Sequence, residues 1–109
     1  MYCSAASYTQ LVKLTATDAA SSDGFGVSVA INGDTVVIGS PYDDDGGSSS
    51  GSAYVFRTTD GGATYGQVAK LTASDAAASD LFGLPVAIDG DIVVAGAYGV
   101  YDSRGAAYV

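Results

Sequence analysis

The stretch FGVSVAINGDTVVIGSPY, residues 25–42, comes back as FGLPVAIDGDIVVAGAYG, residues 82–99, at a spacing of 57 residues. Its flanks keep that spacing. QLVKLTATDAASSD at 10–23 recurs as QVAKLTASDAAASD at 67–80, and GSAYV at 51–55 returns slightly early as GAAYV at 105–109. The 109-residue chain is therefore two copies of one unit. A period of this size predicts a solenoid or propeller, in which one unit cannot bury its own apolar faces and its neighbours cover them. The expected fold is all-β, with propeller blades of four antiparallel strands and two repeats per chain. The boundaries follow from the repeat: an outermost strand and connector over 1–23, a first repeat over 24–80, and a second over 81–109 that lacks its fourth strand.

Inside each copy a hairpin is strongly signalled. Asn32-Gly33, followed by Asp34, and Asp89-Gly90, followed by Asp91, are favoured pairs for a two-residue type I′ turn, which needs φ > 0 at both central positions. That turn sets Ile31 opposite Asp34, Val29 opposite Val36 and Val27 opposite Ile38, with Ser28, Ala30 and Val37 on the other face. Both faces are apolar or small, as in a sheet covered on two sides. Pro85 takes the place of Ser28 in the second copy and is expected opposite Val94. A proline has no N–H for the ladder, so the first strand of the hairpin should present a free edge and lie innermost in its blade.

The rest of the chain fits around this hairpin. Residues 8–16, YTQLVKLTA, read as a strand, and DAASSD at 18–23 as a short polar connector. YDDDGGSSS at 42–50 is a loop, GSAYVFR at 51–57 a third strand, and 65–73 the fourth and outermost. Between the last two, TTDGGATY at 58–65 resembles the Asp-box, with Thr58, Asp60, Gly62, Thr64 and Tyr65 at its characteristic positions. Its physics is a self-satisfied hairpin in which the carboxylate accepts local N–H groups and glycine permits the tight path. An Asp held this way is structural, so Asp60 and Gly62 are read as turn residues.

Composition agrees with strands joined by tight turns. All 12 acidic residues are Asp, Gly numbers 15, and Lys plus Arg only 4. Asp and Gly favour turns, whereas the missing Glu would favour exposed helix. A net charge of −8 with no basic cluster argues against nucleic-acid partners. No apolar run approaches the roughly 18 residues of a membrane span. The opening MYCSAASYTQ does not read as a signal peptide. Cys3 is the only cysteine, which leaves no intrachain disulfide, and it reads as an inert thiol.

Phe25-Gly26 followed by Gly39-Ser40-Pro41, and Phe82-Gly83 followed by Gly96-Ala97-Tyr98, resemble FG-GAP repeats, the units of the integrin α-subunit type of propeller. The resemblance covers nearly the whole chain. It implies one four-stranded blade per repeat and a setting in extracellular or cell-surface adhesion and recognition. It also implies a DxDxDG-like calcium loop between the first two strands. Here that place is held by Asn32-Gly33-Asp34 and Asp89-Gly90-Asp91, too short to surround an ion that takes six or more oxygen ligands. The family's calcium site does not carry over to these positions.

Asp43, Asp44 and Asp45 are the remaining metal candidates, with calcium the cofactor they would suit. Adjacent residues of an extended loop point different ways, so a solvated acidic tip is the favoured reading, and no cofactor is expected. Two function classes stay open. One is a non-enzymatic interaction module that recognises a protein or glycan. The other is a glycosidase-like propeller enzyme, disfavoured because it needs paired carboxylic groups, one of raised pKa, while the patterned Asp residues sit in turns. The expected first partner is the chain itself. Donation of residues 8–16 to the Tyr108 edge of a neighbour would close a ring of about three or four chains, with three slightly preferred.

Overall fold

The computed structural model describes residues 12–20, 22–44, 47–97, 99 and 105–109, and these form strands and turns with no helix. Among the described residues no helix is long and apolar enough to cross a membrane. The first sheet is a four-stranded antiparallel meander of β1 (Ser28–Asn32), β2 (Thr35–Ser40), β3 (Ser52–Arg57) and β4 (Gly66–Leu71) in sequence order. The second has three strands in the same order, β5 (Phe82–Asp89), β6 (Ile92–Ala97) and β7 (Ala106–Tyr108). The 57-residue repeat therefore reappears as a repeat of architecture.

The hairpins form where expected, but with a different turn and register. Asn32 pairs with Thr35, Ile31 with Val36 and Val29 with Ile38, so the two central residues are Gly33 and Asp34. Gly33 has φ +55° and Asp34 does not share it, so a single left-handed residue opens the loop. Asp89 likewise pairs with Ile92, with φ +56° at Gly90. The physical reason is side-chain pairing: this register sets Ile31 against Val36 instead of against Asp34, and branched apolar pairs stabilise a ladder. Because the partner shifts by two positions, each residue keeps its expected face. Pro85, exposed as an edge residue can be, falls opposite Gly96 instead of Val94, since Leu84 pairs with Ala97 and Val86 with Ala95.

The sheets stack face to face. Val37, Ala53 and Val55 of the first meet Phe82, Val86, Ala95 and Ala97 of the second in one apolar cluster. The first strands β1 and β5 sit at the sheet edges and approach each other, and the Val86 N–H donates to Ser28 Oγ at 3.0 Å. Two glycines permit this approach. A Cβ on Gly39 would overlap the Gly83 carbonyl oxygen, and one on Gly83 would overlap that of Ser52. Gly83 of the second FG dipeptide and Gly39 of the Gly39-Ser40 dipeptide are thus places where backbone lies directly on backbone.

A second cluster lies on the opposite side of the first sheet, where Ile38, Tyr54 and Phe56 pack with Ala16 and the half-buried Leu14, Phe25, Val36 and Tyr65. Phe25 meets the Tyr54 ring edge-on at 5.4 Å, and its copy Phe82 meets Tyr108 at 5.5 Å. Residues 12–16, expected as strand, make no ladder in this chain, although Leu14 and Ala16 are seated on the sheet. The rest of that expected strand, 8–11, lies outside the described residues, as do Cys3, Asp45 and Tyr98.

Candidate functional site

The loop after β2 carries the first surprise. Asp43 was expected at a solvated tip, yet it is buried, with its carboxylate turned into the sheet. Its Oδ2 accepts from Ser52 Oγ at 2.9 Å and Tyr54 Oη at 3.0 Å, and it lies 2.8 Å from Lys70 Nζ. Lys70 also reaches Asp18 Oδ2 at 2.6 Å. Tyr54 Oη lies 2.7 Å from Asp18 Oδ1, so one phenolic proton sits between two carboxylates. The lysine ammonium stands 5.2 Å from the Tyr54 ring centroid, near enough for cation–π attraction.

Backbone pairing builds this cluster. Antiparallel β3 and β4 set Tyr54 directly opposite Lys70, on the face that receives the connector bearing Asp18. The Lys70 and Tyr54 hydrogen bonds hold the Asp18 carboxyl below the ordinary carboxylate range. Burial, followed by the bond to Asp18, pushes the Tyr54 phenol up. A lysine shared by two carboxylates and a phenol that stays protonated make an electrostatic clamp, tying the connector and the β2–β3 loop to the outer half of the sheet.

The other acidic residues are also engaged locally. Asp44 Oδ1 accepts the Ser49 N–H at 2.8 Å and its carbonyl accepts that of Gly47 at 3.0 Å, which closes the loop on itself. Asp60 joins β3 to β4 as the turn chemistry predicts. Its Oδ1 accepts from Thr58 Oγ1 at 2.8 Å and the Thr64 N–H at 2.9 Å, and its Oδ2 accepts from Thr64 Oγ1 at 2.6 Å. The Thr64 hydroxyl and N–H draw the Asp60 carboxyl down to about 2. Thr58 Oγ1 in turn accepts the Gly62 N–H at 2.9 Å.

Of the three calcium candidates, Asp43 and Asp44 lie among the described residues and Asp45 does not. Asp43 and Asp44 point to different partners, as adjacent extended residues must, and the described residues hold no group of three His, Cys, Asp or Glu arranged for a metal. A cation at Asp43 would also face the Lys70 ammonium at 2.8 Å, which disfavours calcium at that carboxylate. Asn32, Gly33, Asp34, Asp89, Gly90 and Asp91 are all exposed, Asn32 and Asp89 as the last residues of β1 and β5 and the other four in the turns. Sequence reading missed Asp18, Tyr54 and Lys70. One signal was available: the second copy repeats the pair, with the Tyr108 hydroxyl donating to Asp75 Oδ1 at 2.8 Å.

Two grooves flank β7. One, of about 290 Å³, is lined by Leu71, Ala73, Phe82, Ala95 and Tyr108 among others. The other, of about 420 Å³, is lined by Val55, Leu71, Ile88, Val93 and Val109 among others. Leu71, at the end of β4, and Val109, next to β7, line both. No curated protein and no solved structure matches the chain. The sequence model of the FG-GAP repeat matches residues 8–56 and 65–109. With two such matches, an all-β architecture and the same strand order in each copy, the chain belongs to the FG-GAP repeat family.

Proposed function

We propose that this chain is a non-catalytic interaction module: two consecutive propeller blades that assemble with copies of themselves and present their loops to a protein or glycan. One observation carries the reading. The two open faces of the stacked pair match the two halves of the interface already inside it. On the first sheet Val29 and Ile31 are 62% and 65% exposed, whereas their copies Val86 and Ile88 are 7% exposed and half-buried against the neighbouring sheet. On the second sheet Ala87 and Ala107 are exposed, whereas Ala30 is half-buried and Ala53 has no exposure.

A surface whose front fits its own back makes heterologous contacts, which form a ring if the rotation closes. Donation of residues 8–16 to the β7 edge would add the fourth strand that β4 supplies in the first sheet. Two blades per chain then give about three or four chains in a ring of six or eight blades.

The enzyme alternative is less well supported. A glycosidase needs one carboxyl of raised pKa to serve as acid, whereas the Asp18 and Asp60 carboxyls are both lowered. The test is a panel of chromogenic glycosides run beside immobilised glycans and extracellular proteins, with and without calcium. Retention without turnover is expected. Turnover that disappears in a single Asp→Asn variant would overturn the reading.

A further inference from the structure

We infer that Lys13 of one copy completes, in its neighbour, the clamp that Lys70 makes within the first sheet, placing its ammonium on the Asp75 carboxylate beside the Tyr108 hydroxyl. This rests on the strand-exchange reading and deepens it to a residue pair.

The internal repeat supplies the geometry. In the first copy the connector carboxylate Asp18 bonds the third-strand tyrosine Tyr54 at 2.7 Å, and the cation comes from the fourth strand, where Lys70 lies opposite Tyr54. In the second copy the same two groups are already joined, Asp75 to Tyr108 at 2.8 Å. No described cation forms an ion pair with Asp75, and among the described residues β7 is the edge strand of its sheet. The sequence of that fourth strand exists elsewhere in the chain: QLVKLTA at 10–16 repeats QVAKLTA at 67–73, and Lys13 is the copy of Lys70.

The donated segment is also already placed. Leu14 and Ala16 pack on the open face of the first sheet, as their copies Leu71 and Ala73 pack on the second. Lys13, immediately before Leu14, is exposed. A second copy brought onto this face by its own second sheet would set β7 alongside residues 12–16. Transposing the β3–β4 register pairs Tyr108 with Lys13 and Ala107 with Leu14. The trans clamp is simpler than the internal one, because Val100 stands at the repeat position of Asp43. One lysine then meets one carboxylate and one phenol, and the charges balance.

Charge exchange tests the pair. K13D, D75K and the double variant K13D/D75K are compared with the unaltered chain by sedimentation, reading the protein concentration at half-assembly. Each single variant should raise it about tenfold by replacing attraction with repulsion, and the double variant should restore it. Since Lys13 is exposed within its own chain, K13D leaves the unassembled fold intact, which far-UV circular dichroism monitors. Singles that assemble like the unaltered chain, or a double no better than the worse single, would overturn the pairing while leaving strand exchange standing. An unaltered chain that stays monomeric would overturn both.

Discussion

Replacing Gly39 with Ala is expected to destabilise the fold far beyond the usual effect of one added methyl group. Gly39 lies in β2, buried between the sheets, and its new Cβ would enter the space of the Gly83 carbonyl oxygen, with the carbonyl carbon only 3.0 Å away. The obstacle is backbone, so no side chain can rotate aside. The sheets must move apart by roughly 1 Å or more, loosening the Val37, Ala53, Phe82 and Val86 contacts. Overpacking usually costs about 1–3 kcal/mol, and a backbone obstacle places this variant at the upper end, about 3 kcal/mol. For a domain of this size that lowers Tm by roughly 12–24 °C. Gly66 is the control: it too lies in a strand, at the start of β4, but a Cβ there meets nothing within 4 Å, so G66A should stay within about 0.5 kcal/mol. Thermal unfolding by circular dichroism at one fixed protein concentration compares the two, since assembly makes Tm concentration-dependent. A G39A chain that melts with G66A would refute backbone-on-backbone stacking.

Other outcomes follow from the same geometry. K70A takes the cation away from the buried Asp43 carboxylate and should lose about 3 kcal/mol in urea unfolding; an unchanged midpoint would deny the clamp. G33V and G90V force a β-branched residue into the left-handed region and should cost about 1–2 kcal/mol each. Their Cβ positions are otherwise open, so the loss is conformational strain and G33N should recover most of it. The Asp18 and Asp60 carboxyls titrate below their ordinary value of 3.8 in the folded chain. Their contribution is therefore full above about pH 4 and disappears as the pH falls toward 2. Urea midpoints measured across that window should decline, and the decline should shrink in D18N/D60N; an identical acid limb would contradict the assignment.

What the sequence shows and hides divides along physical lines. The period, the strand order and the Thr58–Tyr65 turn are local or repeated patterns, and each was legible. The hairpin register was not, because Asn32-Gly33 and Asp89-Gly90 are favoured as turn centres while the decision belongs to apolar pairs across the ladder, in the first hairpin Ile31 with Val36 and Val29 with Ile38. Asp43 misled for a similar reason. Three adjacent aspartates look like a solvated tip until the β3–β4 register carries Lys70, one of only 4 basic residues, to the inner one. The open faces could be suspected from apolar residues on both sides of β1 and β2, but only the stacked sheets distinguish the covered side from the uncovered one.

The measurement that bears most directly on self-assembly is the mass of the 109-residue chain by light scattering across a micromolar concentration series. Strand exchange between complementary faces predicts a closed species of about three or four times 10.8 kDa, dissociating when residues 1–16 are deleted. A well-folded particle of 10.8 kDa at every concentration would contradict it.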